Sequence, residues 1–230
     1  NHVGGQFMLA SVPPGKDEIF VYLHNMVQRL KDAGVHLHLN TTVTPELIRE
    51  ARADHVIIAT GGQPLVIPFK GLNDVSWMTS SDVLTWGLNR LGSKVAVIGG
   101  GLVGCECAEY VAGSNRHVTI IEMQNDCASG LQHSVRKKLM EQLVSRHVRL
   151  VTGARVEALA SDGITVCRNG KNTKLGPFDS IVLAMGSRAD TSLLQELEKS
   201  NIPHSVIGDA LKTGKVIAAT ASALRAAAKL

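Results

Sequence analysis

Residues 99–104 read Gly-Gly-Gly-Leu-Val-Gly and constrain this chain more than any other stretch. They match G-x-G-x-x-G, a weak pattern on its own. Here it directly follows a strand-like run, Val95-Ala96-Val97-Ile98, and opens a helical run from Leu102 to Ala112. In that context each glycine has a physical task. Gly99 allows the tight turn out of the strand. Gly101 removes a side chain, so that backbone can approach a pyrophosphate. Gly104 lets the helix lie close on the strand, helped by the small Ala108 one turn later. The helix start at Leu102 and Val103 offers N–H groups and a partial positive charge to phosphate oxygens. The next strand-like run, Val118 to Ile121, ends in Glu122, about 20 residues beyond Gly101. A carboxylate there can accept both hydroxyls of an adenosine ribose, and it repels a 2′-phosphate. Met123 and Gln124 follow, with no arginine to receive that phosphate. These residues point to NAD(H) in preference to NADP(H).

The surrounding pattern continues the alternation of strand and helix. Residues 132–146 read as a helix with Val135, Leu139 and Leu143 inward, followed by a strand from Val148 to Val151. Three short strands around Val156, Val166 and Lys174 follow, with turns marked by Asp162-Gly163 and Asn169-Gly170. Ser180 to Ala184 is a closing buried strand, ending at Met185-Gly186. Upstream, residues 17–33 have helical spacing of apolar residues. Val35, Leu37 and Leu39 alternate with His36 and His38 as in a strand with one polar face. Thr44-Pro45-Glu46 opens a short helix. His55 to Ala59 reads as a buried parallel strand, and Ser80 or Ser81 as the cap of a helix through Leu84 to Leu88. Helices are expected over Thr191 to Ser200 and Gly214 to Leu230. Aromatic residues are few, so the core must come from Val, Ile, Leu and Ala, which suits an α/β protein rather than a sandwich.

Other classes are poorly served by this sequence. The net charge is +4, and its densest spots, Arg136-Lys137-Lys138 and Arg146 to Arg149, lie inside or just after one helical pattern. They read as a solvated face rather than a nucleic-acid patch. No apolar run reaches the about 18 residues that span a bilayer, and the start carries no secretory pattern. The four cysteines contain no C-x-x-C. They read as reduced thiols in a cytoplasmic protein. His36 and His38 face the same way without a third ligand, so no metal site is assigned. Nor is there a Ser/His/Asp set, an H-E-x-x-H or a Tyr-x-x-x-Lys pair, and no catalytic residue is assigned. A chain that binds NADH without an acid or base suggests a flavin as hydride acceptor.

The whole pattern resembles the pyridine nucleotide–disulfide oxidoreductase superfamily, flavoproteins with two dinucleotide-binding domains. The likeness covers Val95 to Glu122. It extends to Ala59-Thr60-Gly61-Gly62-x-Pro64, to Ala184-Met185-Gly186-Ser187-Arg188 and to Ile207-Gly208-Asp209 before a long helix. The opening, Gly4-Gly5-Gln6-Phe7-x-Leu9-Ala10 and then Pro14-Gly15-Lys16, is similar to the C-terminal half of the NADH:flavin oxidoreductase/2,4-dienoyl-CoA reductase group, which includes trimethylamine dehydrogenase. Ala189-Asp190 stands where that pattern more usually has Pro-Asn.

The resemblance implies a Rossmann-like parallel sheet with helices on both faces and a small antiparallel insert, forming an NAD-binding domain over residues 73–187. Residues 1–72 and 188–230 would form an incomplete second FAD/NAD(P)-type domain, whose first βαβ unit would lie upstream of Gly4. The start at Asn1, without methionine, fits that expectation. FAD, or ADP in its place, would be held by Gly5, Gln6, Val43, Ala59, Thr60, Gly61 and Asp209. NADH would be held by Gly99, Gly101, Leu102, Val103, Gly104, Glu122, Met123 and Gly186. FMN and an iron–sulfur cluster would belong to upstream domains of the parent enzyme, where an enoate or enoyl-CoA type substrate would be reduced. Without the first unit, the chain is expected to bind FAD weakly and to self-associate. The alternative is a structural module that holds ADP or NAD without turnover.

Overall fold

The computed structural model describes residues 2–199 and 202–230. In chain order the helices are α1 (Gly5–Leu9), α2 (Asp17–Asp32), α3 (Pro45–Ala51), α4 (Ser80–Trp86), α5 (Leu102–Ala112), α6 (His133–Ser145), α7 (Ser192–Leu197) and α8 (Val216–Ala227). The strands are β1 (Val56–Ile58), β2 (Gly62–Pro64), β3 (Trp77–Thr79), β4 (Lys94–Ile98), β5 (His117–Ile121), β6 (Arg149–Val151), β7 (Arg155–Ala160), β8 (Gly163–Arg168), β9 (Lys171–Leu175), β10 (Ser180–Leu183), β11 (Ser187–Ala189) and β12 (His204–Val206). They group into two compact units. One holds residues 1–8, 18–63 and 187–230; the other holds 9–17 and 64–186.

The second unit is built on a five-stranded sheet in the order β3-β10-β4-β5-β6. All its ladders are parallel. Burial on both faces explains the unbroken apolar runs: Val95, Ala96 and Val97 are fully buried. Side chains alternate between two clusters. Val95, Val97, Val118, Ile120 and Val182 pack with Val83 of α4, with Cys105, Ala108 and Val111 of α5, and with Leu139 and Leu143 of α6. Ala96, Ile98, Ile121, Ile181 and Leu183 pack instead with Leu159, Ile164 and Val166 of the antiparallel β7-β8-β9 sheet.

The α/β class, the parallel sheet and the antiparallel insert therefore stand as expected. The placement of the helices is more specific. The three helices of this unit share one face, and the insert closes the other. The right-handed crossover rule explains it. From β3 to β4, β5 and β6 the chain moves across the sheet in one direction, which puts α4, α5 and α6 on the same side. The return from β6 to β10 runs the opposite way, so its connection falls on the other side.

The first unit has a two-stranded parallel ladder, in which Val56, Ile57 and Ile58 pair with His204, Ser205 and Val206. A small core of Ile48, Ile58 and Leu197 lies under it. The strands β2 and β11 pair where the chain crosses between units, with Asp190 N–H donating to Gly61 O and Leu65 N–H to Gly186 O.

Several local expectations are corrected. Residues 35–39 form no strand; a strand needs a ladder partner, and the described residues supply none beside them. Val35, Leu37 and Leu39 are exposed. Ile57 is 39% exposed, so β1 is buried on one face only. The cap of α4 is Thr79, not Ser80 or Ser81. Its Oγ1 accepts from Asp82 N–H at 3.1 Å, and Asp82 Oδ2 accepts from Thr79 N–H at 2.8 Å. Val135 falls in the first turn of α6 and is 51% exposed. The expected helix over Thr191 to Ser200 is realised as α7; Ser200 lies outside the described residues.

Candidate functional site

The loop between β4 and α5 is shaped by what its glycines exclude. Gly99 has a φ of 107°, and a Cβ there would meet Ala184 O at 2.4 Å. A Cβ on Gly104 would meet Gly99 O at 2.0 Å and Ala184 Cβ at 3.2 Å. These two residues allow the turn and the close approach of α5 to the sheet. Gly101 differs: no heavy atom lies within 4 Å of its would-be Cβ, and the residue is exposed. This is a cradle that a side chain would fill. Leu102 and Val103 begin α5 there and are 38% and 51% exposed.

Glu122 stands at the end of β5 beside this loop. Its Oε2 accepts from Gly100 N–H at 2.6 Å and its Oε1 from Gln124 N–H at 2.7 Å. Two backbone donors thus fix both carboxylate oxygens, in short charge-assisted bonds. Each oxygen keeps a further lone pair for a hydroxyl donor. The residue is 9% exposed, and Met123 next to it is 68% exposed. Gly186 follows β10 with a φ of 91°, and its carbonyl is taken by Leu65 N–H.

Sequence reading passed over Gly100, which is buried between Glu122 and Cys127. A Cβ on it would meet Cys127 Sγ at 2.7 Å and Glu122 Cβ at 2.9 Å. Its carbonyl accepts from Ala128 N–H at 2.7 Å and from Cys105 Sγ at 3.3 Å. Both Cys105 and Cys127 place their sulfur beside Gly100. The neighbouring Cys127 sulfur and burial push the Cys105 thiol up. Burial alone pushes Cys107 up to about 12. Sequence reading also missed an ion pair between Lys16 Nζ and Glu106 Oε1 of α5, at 2.5 Å. No local pattern signals it. Farther along α5, Glu109 is buried, and burial raises its carboxyl although Arg146 Nε lies 3.5 Å away.

In the first unit, six of the seven expected flavin-site residues have a common setting. Gly5 begins α1 with a φ of 49°, and Gln6 Nε2 donates to Gly62 O. Ala59, Thr60 and Gly61 follow β1, and Thr60 Oγ1 donates to Asp190 O at 2.9 Å. Hydrogen bonds from Gln63 and Ser192 hold the Asp190 carboxyl below the usual carboxylate range. Asp209 follows β12, the strand paired with β1, and its Oδ1 accepts from Gly214 N–H at 3.0 Å. It therefore lies at the same strand ends as Thr60. No atom lies within 4 Å of the would-be Cβ of Gly5 or Gly61. Val43 stands in the loop before α3, and the described hydrogen bonds do not tie it to the other six. Among the described residues no His, Cys, Asp and Glu cluster could hold a metal, and no helix is long and apolar enough to cross a membrane.

Comparison with known proteins gives a consistent result. The family model for pyridine nucleotide-disulphide oxidoreductase matches residues 12–210. The chain is 35% identical over 231 residues to an NADH oxidase of Thermoanaerobacter brockii, covering 98% of this chain and 35% of that protein. It is 32% identical over 230 residues to a cinnamate reductase of Clostridium sporogenes, covering 98% of this chain and 34% of that one. It thus spans about a third of the length of these relatives. Among solved structures, a 2-naphthoyl-CoA reductase complex superimposes with a TM-score of 0.94 at 24% identity, covering 100% of this chain and 35% of that one. At that identity the likeness is one of fold.

Proposed function

This chain belongs to the pyridine nucleotide-disulphide oxidoreductase family, and from that premise we propose that it is the NADH-binding, electron-input part of a larger flavin-dependent oxidoreductase. FAD, when bound, would supply a hydride acceptor for NADH, and upstream domains of the larger enzyme would serve an enoate or enoyl-CoA type substrate. A cinnamate reductase among the relatives supports that substrate class, since cinnamate is an α,β-unsaturated carboxylate.

The chain's own residues do the binding and the selecting. Gly101 lets backbone reach a pyrophosphate, and the first turn of α5 directs its N–H groups and dipole there. Gly99 and Gly104 hold α5 against β4 so that this turn is fixed. Glu122 offers its remaining lone pairs to the adenosine ribose hydroxyls. Because Gly100 and Gln124 hold both its oxygens, it cannot swing away from a 2′-phosphate. The cost of bringing those like charges together favours NADH over NADPH. Gly186 lies two residues beyond Ala184, whose atoms occupy the space that side chains on Gly99 and Gly104 would need. In the first unit, Gly5, Gln6, Ala59, Thr60, Gly61 and Asp209 would hold FAD, or ADP in its place, and Val43 would meet the adenine.

The observation that carries this reading is the doubly held Glu122 carboxylate beside the open backbone of Gly101. Calorimetric titration of the parent enzyme with NADH and NADPH tests it. NADH binding in clear preference to NADPH, with a flavin absorbance that NADH bleaches, is the expected result. A colourless protein that binds the nucleotide but reduces no dye would instead establish a structural nucleotide-binding module.

A further inference from the structure

We propose that Cys105, Cys127 and Ala128 are positioning residues for the dinucleotide, acting through Gly100. The proposal rests on Gly101 and Glu122 being the NADH site. Gly100 is the one loop residue that touches both halves of that site. Its N–H holds Glu122, and its carbonyl opens the peptide that ends in Gly101 N–H. The Gly100–Gly101 peptide is trans, so its C=O and N–H point in opposite directions. Whatever draws the Gly100 carbonyl inward therefore turns the Gly101 N–H outward, to the exposed side of the loop.

Two donors draw that carbonyl inward: Ala128 N–H at 2.7 Å and the Cys105 thiol at 3.3 Å. Ala128 delivers its N–H from a left-handed conformation, with a φ of 53°, which a residue with a Cβ adopts only at a cost. Cys127, the residue before it, fills the space beside Gly100 where a side chain would go, with its sulfur 2.7 Å from the would-be Cβ. Arg136 anchors Cys127, with Nε donating to its carbonyl at 2.9 Å. The two thiols are fully buried, so they act on the loop by contact rather than by meeting the ligand. They form a soft, adjustable packing layer under a backbone that must hold its pitch.

The test uses the parent enzyme with Cys105→Ala, Cys105→Ser and Cys127→Ala, and reads NADH and NADPH dissociation constants by calorimetry together with KM and kcat. Cys105→Ala is expected to raise the NADH dissociation constant and KM about threefold to tenfold, with kcat within twofold. Cys105→Ser, which keeps a donor, is expected to stay within about twofold of wild type. Cys127→Ala should narrow the ratio between NADH and NADPH affinity, because Glu122 gains room to move. Unchanged affinities in both alanine variants would overturn the positioning role and leave the NADH site standing. Equal losses in Cys105→Ala and Cys105→Ser would overturn the hydrogen bond as its means. A wild-type enzyme that bound no NADH would overturn the site and this proposal together.

Discussion

The carboxylate of Glu122 and the backbone N–H of Gly100 meet at 2.6 Å, although the two residues are 22 apart in the chain. The contact joins the ends of adjacent parallel strands, β4 and β5, whose register sets Ile98 beside Ile121. It makes the acid part of the glycine loop rather than a neighbour of it. Replacing Glu122 should therefore act on ligand choice and on stability together. Glu122→Gln puts an amide donor against one of two N–H donors and removes the charge. NADH affinity is expected to fall by about tenfold or more, and the margin over NADPH to shrink. Glu122→Arg should reverse the preference. Calorimetric titration with each nucleotide reads both effects, and an unchanged preference would show that the carboxylate does not meet the ribose.

The glycines of the loop separate folding from binding. Gly101 has a φ of −66°, and a methyl group there would touch nothing in the free protein. Gly101→Ala should leave the melting temperature nearly unchanged, apart from a cap penalty within about 1 kcal/mol, while NADH affinity drops by about tenfold. Gly104→Ala should do the reverse of this first: its Cβ would fall 2.0 Å from Gly99 O, so α5 must lift off the sheet. A large loss of thermal stability is the expected outcome. Thermal melts and nucleotide titrations on the same two variants check the contrast.

These residues were legible in the sequence because their task is local. A strand, a turn and a helix succeed one another within residues 94–112, and each glycine answers to its immediate neighbours. The parallel sheet followed from the same alternation of periods. What was not legible depends on distant partners. Lys16 and Glu106 meet across some 90 residues of chain. Cys127 looks like a loop residue until Gly100 is seen beneath it. Residues 35–39 carry a strand's alternation but have no ladder beside them among the described residues, while β12, with no strong pattern, becomes a strand because β1 offers one. Pattern states what a segment can do, and a partner decides whether it does it.

Burial of Glu109 has a consequence for the dependence of stability on pH. Its carboxyl is raised in the folded chain, with burial the main cause and Arg146 opposing it. The folded state then holds this proton to a higher pH than the unfolded chain does, whose value lies near 4.5. The stabilising contribution is complete below that value and is lost as the pH rises through the folded one. Above it, the buried ionised group is a burden only partly offset by Arg146. Glu109→Gln should therefore be neutral or stabilising wherever the group is ionised, and should flatten the dependence of stability on pH from 4.5 upward. Urea melts across that range are the measurement, and marked destabilisation where the group is ionised would show that the ion pair outweighs its burial.

The cap of α4 tests how finely a helix start can be read. Thr79, Ser80 and Ser81 are three hydroxyl residues in a row, and the pattern alone favoured the later two. The decisive residue is Asp82. A capping box needs an acceptor three places after the cap, and Asp82 satisfies that spacing for Thr79 alone. Its carboxylate takes both the Thr79 N–H and the Thr79 hydroxyl, at 2.8 and 2.7 Å. Thr79→Ala should cost about 1 kcal/mol, and Asp82→Ala a similar amount. Because the two act as one unit, the double variant should cost less than their sum. Ser81→Ala should change stability by no more than about 0.5 kcal/mol. Chemical denaturation of the four variants supplies the cycle, and strict additivity would show that the box contributes no coupling.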